Sequence, residues 1–277
     1  MTSLEIESST DQPTVSRPFT RRRGDRRGRS PHLIDGDAVM LSIVMPVYNE
    51  ERTIAHAIER VLGINYPCPI ELIVVNDGSE DGTADVLATI CDPRLVLESH
   101  DTNRGKGAAL LTGISLAQGT HFVPFDADLE YAPLDLMALL EPVLSGRSEV
   151  VYGSRLFGAN TVFQSYRYAM GNKVTTFVAN VLFDAYISDL HTCLKLLPIP
   201  LVREFALREQ GFGLDTEITA HVLKRGFRPF EVPVSYHSRT RMQGKKLDWR
   251  DGVSCLFILF RVRARGGSRP PLRVVAR

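Results

Sequence analysis

The amino-acid sequence predicts an α/β fold in which helices flank a mostly parallel sheet. Short apolar runs alternate four times with segments of helical periodicity between residues 38 and 146. The repeat is about 30 residues long, which suits a strand followed by a crossover helix. Polar residues are concentrated at the carboxyl ends of the predicted strands, where ligands bind in such folds. We therefore expect one shared site along one edge of the sheet.

The regular part of the pattern lies in the first half of the chain. We expect strands within residues 38–50, 70–75, 94–100 and 121–131. We expect helices at residues 50–63, from Asp81 or Thr83 onwards, at 105–119 and at 133–146. In the first of these helices, Ile54, Ile58 and Val61 have helical spacing, and Gly63 can end it.

The second half of the chain is less regular. We expect strands at residues 150–155 and 230–236, and helices at 168–187, 213–226 and 247–265. Composition divides the chain into three regions: an arginine-rich, disordered N-terminal arm (1–37), a folded domain (38–247), and a C-terminal amphipathic helix with a basic tail (248–277).

The net charge of +1 conceals two basic ends. Residues 17–29 contain seven arginines and one acid, and residues 261–277 contain six arginines and no acid. Basic tails of this kind suit an anionic membrane surface or nucleic acid, and solvated disorder is the alternative. Nucleic acid is not the expected partner; binding to it would weaken steeply with salt and disappear on removal of residues 1–37.

The cysteines and the apolar runs indicate a cytoplasmic protein. The four cysteines have no C-x-x-C spacing, so we expect neither a zinc site nor a disulfide framework, in keeping with a reducing cytosol. Residues 1–40 contain no long apolar stretch, so no signal peptide is expected. No run reaches the ~18–20 apolar residues that a spanning helix needs. The longest runs, 174–183 and 253–260, could instead lie against a surface.

Asp126 and Asp128 directly follow a buried-looking run. Two neighbouring carboxylates raise each other's pKa unless a positive charge lies between them. Mg²⁺ or Mn²⁺ is commonly held by one or two carboxylates together with substrate phosphates. The D-x-D pattern therefore favours half of a divalent metal site, and a solvated turn is the alternative.

Two other strand ends carry candidate ligand-binding residues. Asp77 could accept a hydrogen bond from a nucleotide base, or could be a turn aspartate, and Gly78 after it can adopt a positive φ. The segment "NRGKGAAL" leads into a helix, so its amides and Lys106 could face phosphate. The sequence has no P-loop pattern, and no G-x-G-x-x-G follows its first strand, which disfavours P-loop phosphoryl transfer and dinucleotide chemistry.

Six segments, in this order, resemble a family 2 glycosyltransferase of the GT-A fold. They are "SIVMPVYNEERTI", "ELIVVNDGSEDGT", "NRGKGAAL", "PFDADLEY", "VYGSR" and "EVPVSYHSRTRMQGKK". The resemblance covers about residues 40–260 and is greatest to polyprenyl-phosphate glycosyltransferases, the group that includes dolichyl-phosphate mannose and glucose synthases. It implies that residues 38–247 form a GT-A catalytic domain.

The resemblance also implies roles for individual residues. The base and ribose of a GDP- or UDP-hexose would contact Pro46, Tyr48, Glu50 and Asp77. The metal, Mg²⁺ or Mn²⁺, would be held by Asp126 and Asp128, with Glu130 as a possible extra ligand at a position where many relatives have glutamine.

The resemblance further implies that basic residues handle the phosphates. Arg155 would approach the acceptor phosphate. A basic loop that closes over the phosphates would contain Arg239, Arg241, Lys245 and Lys246. Two arginines precede Gly244, so the equivalent of the family's loop arginine is either Arg239 or Arg241. The expected catalytic residues are thus Asp128, Arg155, Arg239 and Lys245.

The expected reaction is inverting transfer of a hexose to polyprenyl phosphate. A phosphate monoester has its second pKa near ~6, arrives largely ionised and needs no general base. A soluble hydroxyl acceptor, the alternative, would need one, and Asp189 or Glu217 is the candidate. Each of these acids could instead be a helix-end or surface acid. A third hypothesis is a non-catalytic module that binds nucleotide sugar or membrane.

A peripheral position on the cytoplasmic face of the membrane is expected. The apolar run 253–260 precedes Arg261, Arg263 and Arg265, so its helix could lie at an interface with arginines on lipid head groups. The alternative is a helix packed on the main domain. The resemblance implies that relatives often have spanning helices after this point. No run of that length follows in this sequence, so contact with the membrane is expected to be peripheral or through a partner.

Overall fold

A computed structural model describes residues 39–156, 161–162, 165–238 and 249–265, and the described residues form nine strands. The strands are β1 (Leu41–Val47), β2 (Ile70–Asn76), β3 (Leu95–Ser99), β4 (His121–Pro124), β5 (Val151–Ser154), β6 (Thr161–Val162), β7 (Lys195–Pro198), β8 (Phe230–Pro233) and β9 (Tyr236–His237). Seven of them form one sheet in the order β3-β2-β1-β4-β7-β5-β8, and β6 pairs with β9.

The large sheet is mostly parallel. Strands β1 to β4 are mutually parallel where they pair, and β5 is parallel to β8. Strand β7 lies between β4 and β5 and is antiparallel to both. The predicted α/β class with a mostly parallel sheet is confirmed. Because β1, β2, β3 and β4 point the same way, the loops that follow them meet at one edge.

Eight helices are described. They are α1 (Ile54–Leu62), α2 (Thr83–Ala88), α3 (Lys106–Leu116), α4 (Asp135–Leu144), α5 (Tyr166–Phe183), α6 (Ile199–Arg203), α7 (Leu214–Lys224) and α8 (Trp249–Ala264). Helices α1, α2 and α4 contribute buried residues to one face of the sheet, and α3, α6 and α7 to the other. The helices therefore flank the sheet on both sides.

The alternation of side chains along the strands explains this layering. In β1, Ile43 and Met45 point into the α1/α4 core, whereas Val44 between them points into the α3/α7 core. All three side chains are fully buried. A strand covered on both faces reads as a continuous apolar run, which is why β1 and β2 are visible in the sequence.

A third apolar cluster joins α8 to the domain. Ile258, Leu259 and Val262 of α8 pack against Ala179 of α5 and Leu223 of α7. One face of α8 thus packs on the main domain, as the alternative interpretation of this helix predicts. Whether residues 248–277 act as a separate region stays a prediction.

Two features of the fold differ from the expected elements. Strands β6 and β7 and helix α6 lie in stretches for which no element was predicted. The run expected as a strand over residues 121–131 is a strand only at His121–Pro124, and the turn that contains Asp126 follows it. The predicted arm at residues 1–37 lies outside the described residues.

His121 is a buried base whose burial makes folding depend on pH. The side chain is 1% exposed, and burial lowers its pKa from 6.5 to about 4. Between these values the unfolded chain binds the proton and the folded chain does not, so stability falls as the pH falls from 6.5 to 4.

We predict that His121→Phe removes part of this acid sensitivity. The loss of unfolding free energy between pH 7 and pH 4 should be smaller in the variant by about 3 kcal/mol, because the shift is more than two pKa units. Urea denaturation at a series of pH values measures the effect. Parallel stability curves for the variant and the wild type would contradict it.

Candidate functional site

The loops after β1 and β2 are tied together at the carboxyl edge of the sheet. Asn49 has a φ of 55°, and its backbone amide donates to Ser79 Oγ at 3.0 Å. Its side-chain Oδ1 accepts a hydrogen bond from the backbone amide of Glu80 at 2.8 Å. The amide of Glu50 donates to Thr83 Oγ1 at 3.0 Å. These reciprocal contacts fix the relative position of the two loops.

The residues expected to contact a base and ribose lie in this region. Pro46 is in β1 opposite Val75, and Tyr48 follows β1 as a half-buried side chain. The carboxylate of Glu50 accepts a hydrogen bond from Thr53 Oγ1 at 2.6 Å. The structure therefore brings Pro46, Tyr48 and Glu50 to one edge, and their contacts with a nucleotide stay predictions.

Asp77 holds the loop that enters α3. Its buried carboxylate accepts hydrogen bonds from the amides of Arg104 at 3.0 Å and Gly105 at 2.7 Å. His100 Nδ1 lies 2.6 Å from the same carboxylate, and His100 Nε2 lies 2.9 Å from Thr112 Oγ1. A carboxylate with these contacts anchors the loop, and its predicted contact with a base stays a prediction.

Two glycines allow the loops to approach this closely. Gly78 has a φ of 67°, as the sequence predicts, and a Cβ there would lie 2.4 Å from the carbonyl carbon of Thr102. Gly105 has a φ of 96°, and a Cβ there would lie 2.5 Å from the carbonyl oxygen of Gln210. Side chains at these positions would push the α3 loop away from the sheet edge.

Lys106 and Asp126 form an ion pair across the edge. Lys106 Nζ lies 2.7 Å from Oδ1 and 2.8 Å from Oδ2 of Asp126. Burial lowers the pKa of Lys106, but the carboxylate of Asp126 and other negative groups outweigh burial and raise it well above its ordinary value. A positive charge thus does accompany the D-x-D acids, and in this structure a lysine provides it.

The turn after Asp126 is tightly held. Leu129 has a φ of 63°, a conformation that leucine rarely adopts, and the Glu130 amide donates to Asp128 Oδ1 at 3.1 Å. Tyr236 OH donates to Glu130 Oε2 at 2.6 Å, and the His237 amide donates to the Glu130 carbonyl at 2.9 Å. Strand β9 therefore supports the strained turn that presents Asp128.

The acids at this turn fit a divalent metal as a half-site. Among the residues that the structure describes, no group of three or more His, Cys, Asp or Glu could hold a metal ion. Mg²⁺ usually keeps several waters and takes one or two carboxylates together with substrate phosphates. Asp126 and Asp128 match that requirement, and the Lys106 ammonium shows that Asp126 accepts a cation.

Arg155 and Asp189 form a buried bidentate ion pair. Arg155 donates to Asp189 Oδ2 from Nε at 2.6 Å and to Oδ1 from Nη2 at 2.7 Å, and Asn172 Nδ2 donates to Oδ1 at 2.8 Å. Burial raises the pKa of Asp189, but Arg155 outweighs burial and lowers it to about 2. Asp189 is fully buried, so the helix-end or surface interpretation is wrong for it. A carboxylate with this pKa is also a poor general base near neutral pH.

Glu217 is likewise held by backbone amides and an arginine. It is fully buried, and its Oε2 accepts the amides of Arg208 at 2.7 Å and Glu209 at 2.9 Å. Its Oε1 accepts Arg261 Nη2 at 2.8 Å, and Arg261 also pairs with Glu209 at 2.7 Å. Glu217 lies in the first turn of α7, so the helix-end alternative holds for it, and it is not a surface acid. The guanidinium of Arg261 thus pairs with acids of the domain, and the expected contact of the α8 arginines with lipid head groups stays a prediction.

Sequence reasoning missed three residues that organise the site. Tyr236 donates to Glu130 and lies under Arg155, whose guanidinium carbon is 4.9 Å from the ring centroid. His100 contacts the Asp77 carboxylate, and Asn172 contacts the Asp189 carboxylate. His100 follows the third strand, and Tyr236 ends the predicted strand 230–236 inside a segment that carries the family resemblance, so position could have found both. The sequence near Asn172 gives no such signal.

Other expectations concern residues elsewhere in the chain. The basic-loop residues Arg239, Arg241, Lys245 and Lys246 lie outside the described residues. All four cysteines are free. Of the helices that the structure describes, none has the length and apolar character required to cross a membrane.

Solved structures share this fold. Glucosyl-3-phosphoglycerate synthase from Mycobacterium tuberculosis, in complex with Mn²⁺, UDP and glucosyl-3-phosphoglycerate, superposes with a TM-score of 0.61 at 18% identity, covering 83% of this chain and 82% of that one. A structure of the same enzyme with Mg²⁺ and UDP gives a TM-score of 0.60 at 17% identity, covering 83% and 81%. These likenesses show a GT-A-like fold.

Curated relatives and a family model agree with the fold. The chain is 29% identical to polyprenol monophosphomannose synthase of Mycolicibacterium smegmatis, over 74% of this chain and 82% of the relative. It is 26% identical to the UDP-N-acetylglucosamine–dolichyl-phosphate N-acetylglucosaminyltransferase of Methanococcus voltae, over 70% and 84%. The model of glycosyl transferase family 2 matches residues 42–201, more than half of the chain. This chain therefore belongs to glycosyl transferase family 2 and is a glycosyltransferase.

Proposed function

We propose that this glycosyltransferase is metal-dependent and inverting, and that it transfers a hexose from a GDP- or UDP-hexose to polyprenyl phosphate. It would work as a peripheral protein on the cytoplasmic face of the membrane. One relative is, by its name, a synthase of polyprenol monophosphomannose, and another transfers N-acetylglucosamine from its UDP donor to dolichyl phosphate, which supports a polyprenyl-phosphate acceptor.

The donor would bind along the edge formed by the loops after β1, β2 and β4. Pro46, Tyr48, Glu50 and Asp77 would surround the base and ribose. This assignment is supported by the contacts that fix the first two loops against each other. Lys106, at the start of α3, would contact the diphosphate.

The divalent metal would be held by Asp126 and Asp128, with Glu130 close by. When bound, Mg²⁺ or Mn²⁺ would supply positive charge to the departing nucleoside diphosphate. The structures with Mn²⁺ or Mg²⁺ and UDP support a metal in this fold. Arg239 and Lys245 would add further positive charge to the leaving group.

The contacts of Asp189 and Glu217, the two candidate general bases, favour a phosphate acceptor over a hydroxyl acceptor. Asp189 is locked to Arg155 with a pKa of about 2, and Glu217 accepts two backbone amides and an arginine. Neither is placed to take a proton from a hydroxyl group. A phosphate monoester does not need that step, and Arg155 would orient it. The commitment of both acids to buried contacts is the observation that carries the acceptor assignment.

An exposed apolar surface on two packed helices supports a membrane-bound acceptor. We call it the α5/α8 patch. It consists of Val174, Phe177 and Val181 of α5 and Val253, Phe257 and Phe260 of α8, each at least half exposed. Asn172, which holds the Asp189–Arg155 pair, lies on α5 as well. A lipid surface against this patch would therefore bring the acceptor near Arg155.

We predict metal-dependent transfer of label into lipid. Purified protein, Mn²⁺ and radiolabelled GDP- and UDP-hexoses are incubated with polyprenyl phosphate in detergent, and label is counted in the organic phase. Asp128→Ala should lower kcat/KM by about 100-fold or more, because electrostatic stabilisation of the leaving group is lost. Asp92→Ala, which removes a partly exposed acid paired with Arg94, is the matched control and should keep activity.

Two results would contradict parts of this proposal. Full activity in the presence of EDTA would reject the metal. Release of free sugar from a donor without transfer to lipid would reject the polyprenyl phosphate acceptor and redirect the search to soluble hydroxyl compounds.

We also predict binding to vesicles through the α5/α8 patch. Phe177→Ser and Phe257→Ser should each weaken co-sedimentation with phosphatidylglycerol vesicles by about 10-fold, because an apolar ring no longer leaves water. Leu134→Ser changes an exposed leucine of similar character outside the patch and should have no effect. If all three variants sediment with vesicles as the wild type does, this patch is excluded as the membrane contact.

A further inference from the structure

The Lys106–Asp126 ion pair occupies the carboxylate that the proposed metal would use. We propose that Lys106 is a built-in counter-ion that keeps Asp126 from holding a divalent metal until a nucleoside diphosphate is present. Metal and nucleotide would then bind with positive coupling. This inference rests on the proposed function and adds an order to the binding of its ligands.

The geometry makes Lys106 a competitor for the metal. Its Nζ contacts both oxygens of Asp126, at 2.7 Å and 2.8 Å, so neither oxygen is available to a second cation without a rearrangement. Both side chains are about one-fifth exposed, which leaves them open to a ligand from solvent. A divalent ion on Asp126 would lie beside the lysine ammonium and be repelled by it.

The side chain of Lys106 can move away from Asp126, whereas the backbone on either side of it is held in place. The backbone before it is fixed by Asp77, which accepts the amides of Arg104 and Gly105. The backbone after it is fixed by the Ala108 amide, which donates to the Gln210 carbonyl at 3.0 Å. The ammonium therefore stays within reach of the site while it changes partners.

A diphosphate supplies the partner that allows the exchange. Its negative charge can take the Lys106 ammonium, and Asp126 is then released to the metal that arrives with the nucleotide. The lysine thus disfavours metal binding in the free protein and favours it in the nucleotide complex. By linkage, each ligand raises the affinity for the other by the same factor.

The test measures Mn²⁺ binding rather than activity. Electron paramagnetic resonance of free Mn²⁺ gives its affinity for the protein alone and with saturating UDP or GDP. In the wild type, we expect weak binding that strengthens with nucleotide. In Lys106→Gln without nucleotide, Mn²⁺ should bind about 10-fold more tightly than to the wild type, within the usual range of coupling between sites. The gain from adding nucleotide should shrink correspondingly.

Matched variants separate charge from structure. Lys106→Arg keeps the positive charge and should retain the coupling. Lys106→Met provides a second neutral side chain, checked for folding by circular dichroism. Lys173→Gln makes the same change at an exposed lysine of α5 and should bind Mn²⁺ as the wild type does.

Two outcomes overturn the inference and are distinguishable. If neutral variants bind Mn²⁺ with unchanged or lower affinity in the absence of nucleotide, Lys106 does not act as a competitor, and the proposed transferase stands. If the wild type and all variants fail to bind Mn²⁺ even with UDP or GDP, the metal site itself fails, and with it both this inference and the metal in the proposed function.

Discussion

The carboxylate of Asp77 is the constraint on which the rest of the site depends. Removing a carboxylate from water is costly unless hydrogen bonds replace the lost hydration. Asp77 meets that requirement with two backbone amides of the α3 loop and with His100. The same bonds place the first residue of α3, Lys106, against Asp126. A single buried acid thus determines where the positive charge of the site stands.

The remaining acids of the site extend this organisation along the sheet edge. Glu130 is held by Tyr236, the ring of Tyr236 lies under the Arg155 guanidinium, and Arg155 is locked to Asp189. Each link joins groups that are far apart in sequence. A donor bound near Asp126 and an acceptor bound near Arg155 would therefore occupy one connected framework.

The sequence predicts the parts of the fold that depend on local patterns. Strands β1 and β2 are continuous apolar runs because both faces are covered, and Gly78 has the positive φ that its turn position indicates. Strand β7 escapes prediction because it contains Lys195, which usually signals a surface. Lys195 is fully buried, 3.6 Å from Asp215 and over the ring of Tyr152.

In the candidate site, too, local motifs predict some features and tertiary contacts determine the others. Short motifs locate Asp126, Asp128 and Lys106, but they do not reveal that Lys106 and Asp126 face each other. Asp189 and Glu217 resemble candidate bases in the sequence, and only their long-range partners, Arg155 and Arg261, show that both are committed. Ion-pair partners are set by tertiary structure, so residue type alone does not identify them.

The most direct test of this account is calorimetric binding of Mn²⁺–pyrophosphate to the wild type and to Asp77→Asn. Pyrophosphate has no base, so a direct contact between Asp77 and a base does not contribute to its affinity. If Asp77 acts by holding the α3 loop and Lys106, the variant should bind at least about 10-fold more weakly, within the usual range of coupling between sites. Equal affinity would contradict the account and restrict Asp77 to a role at the base.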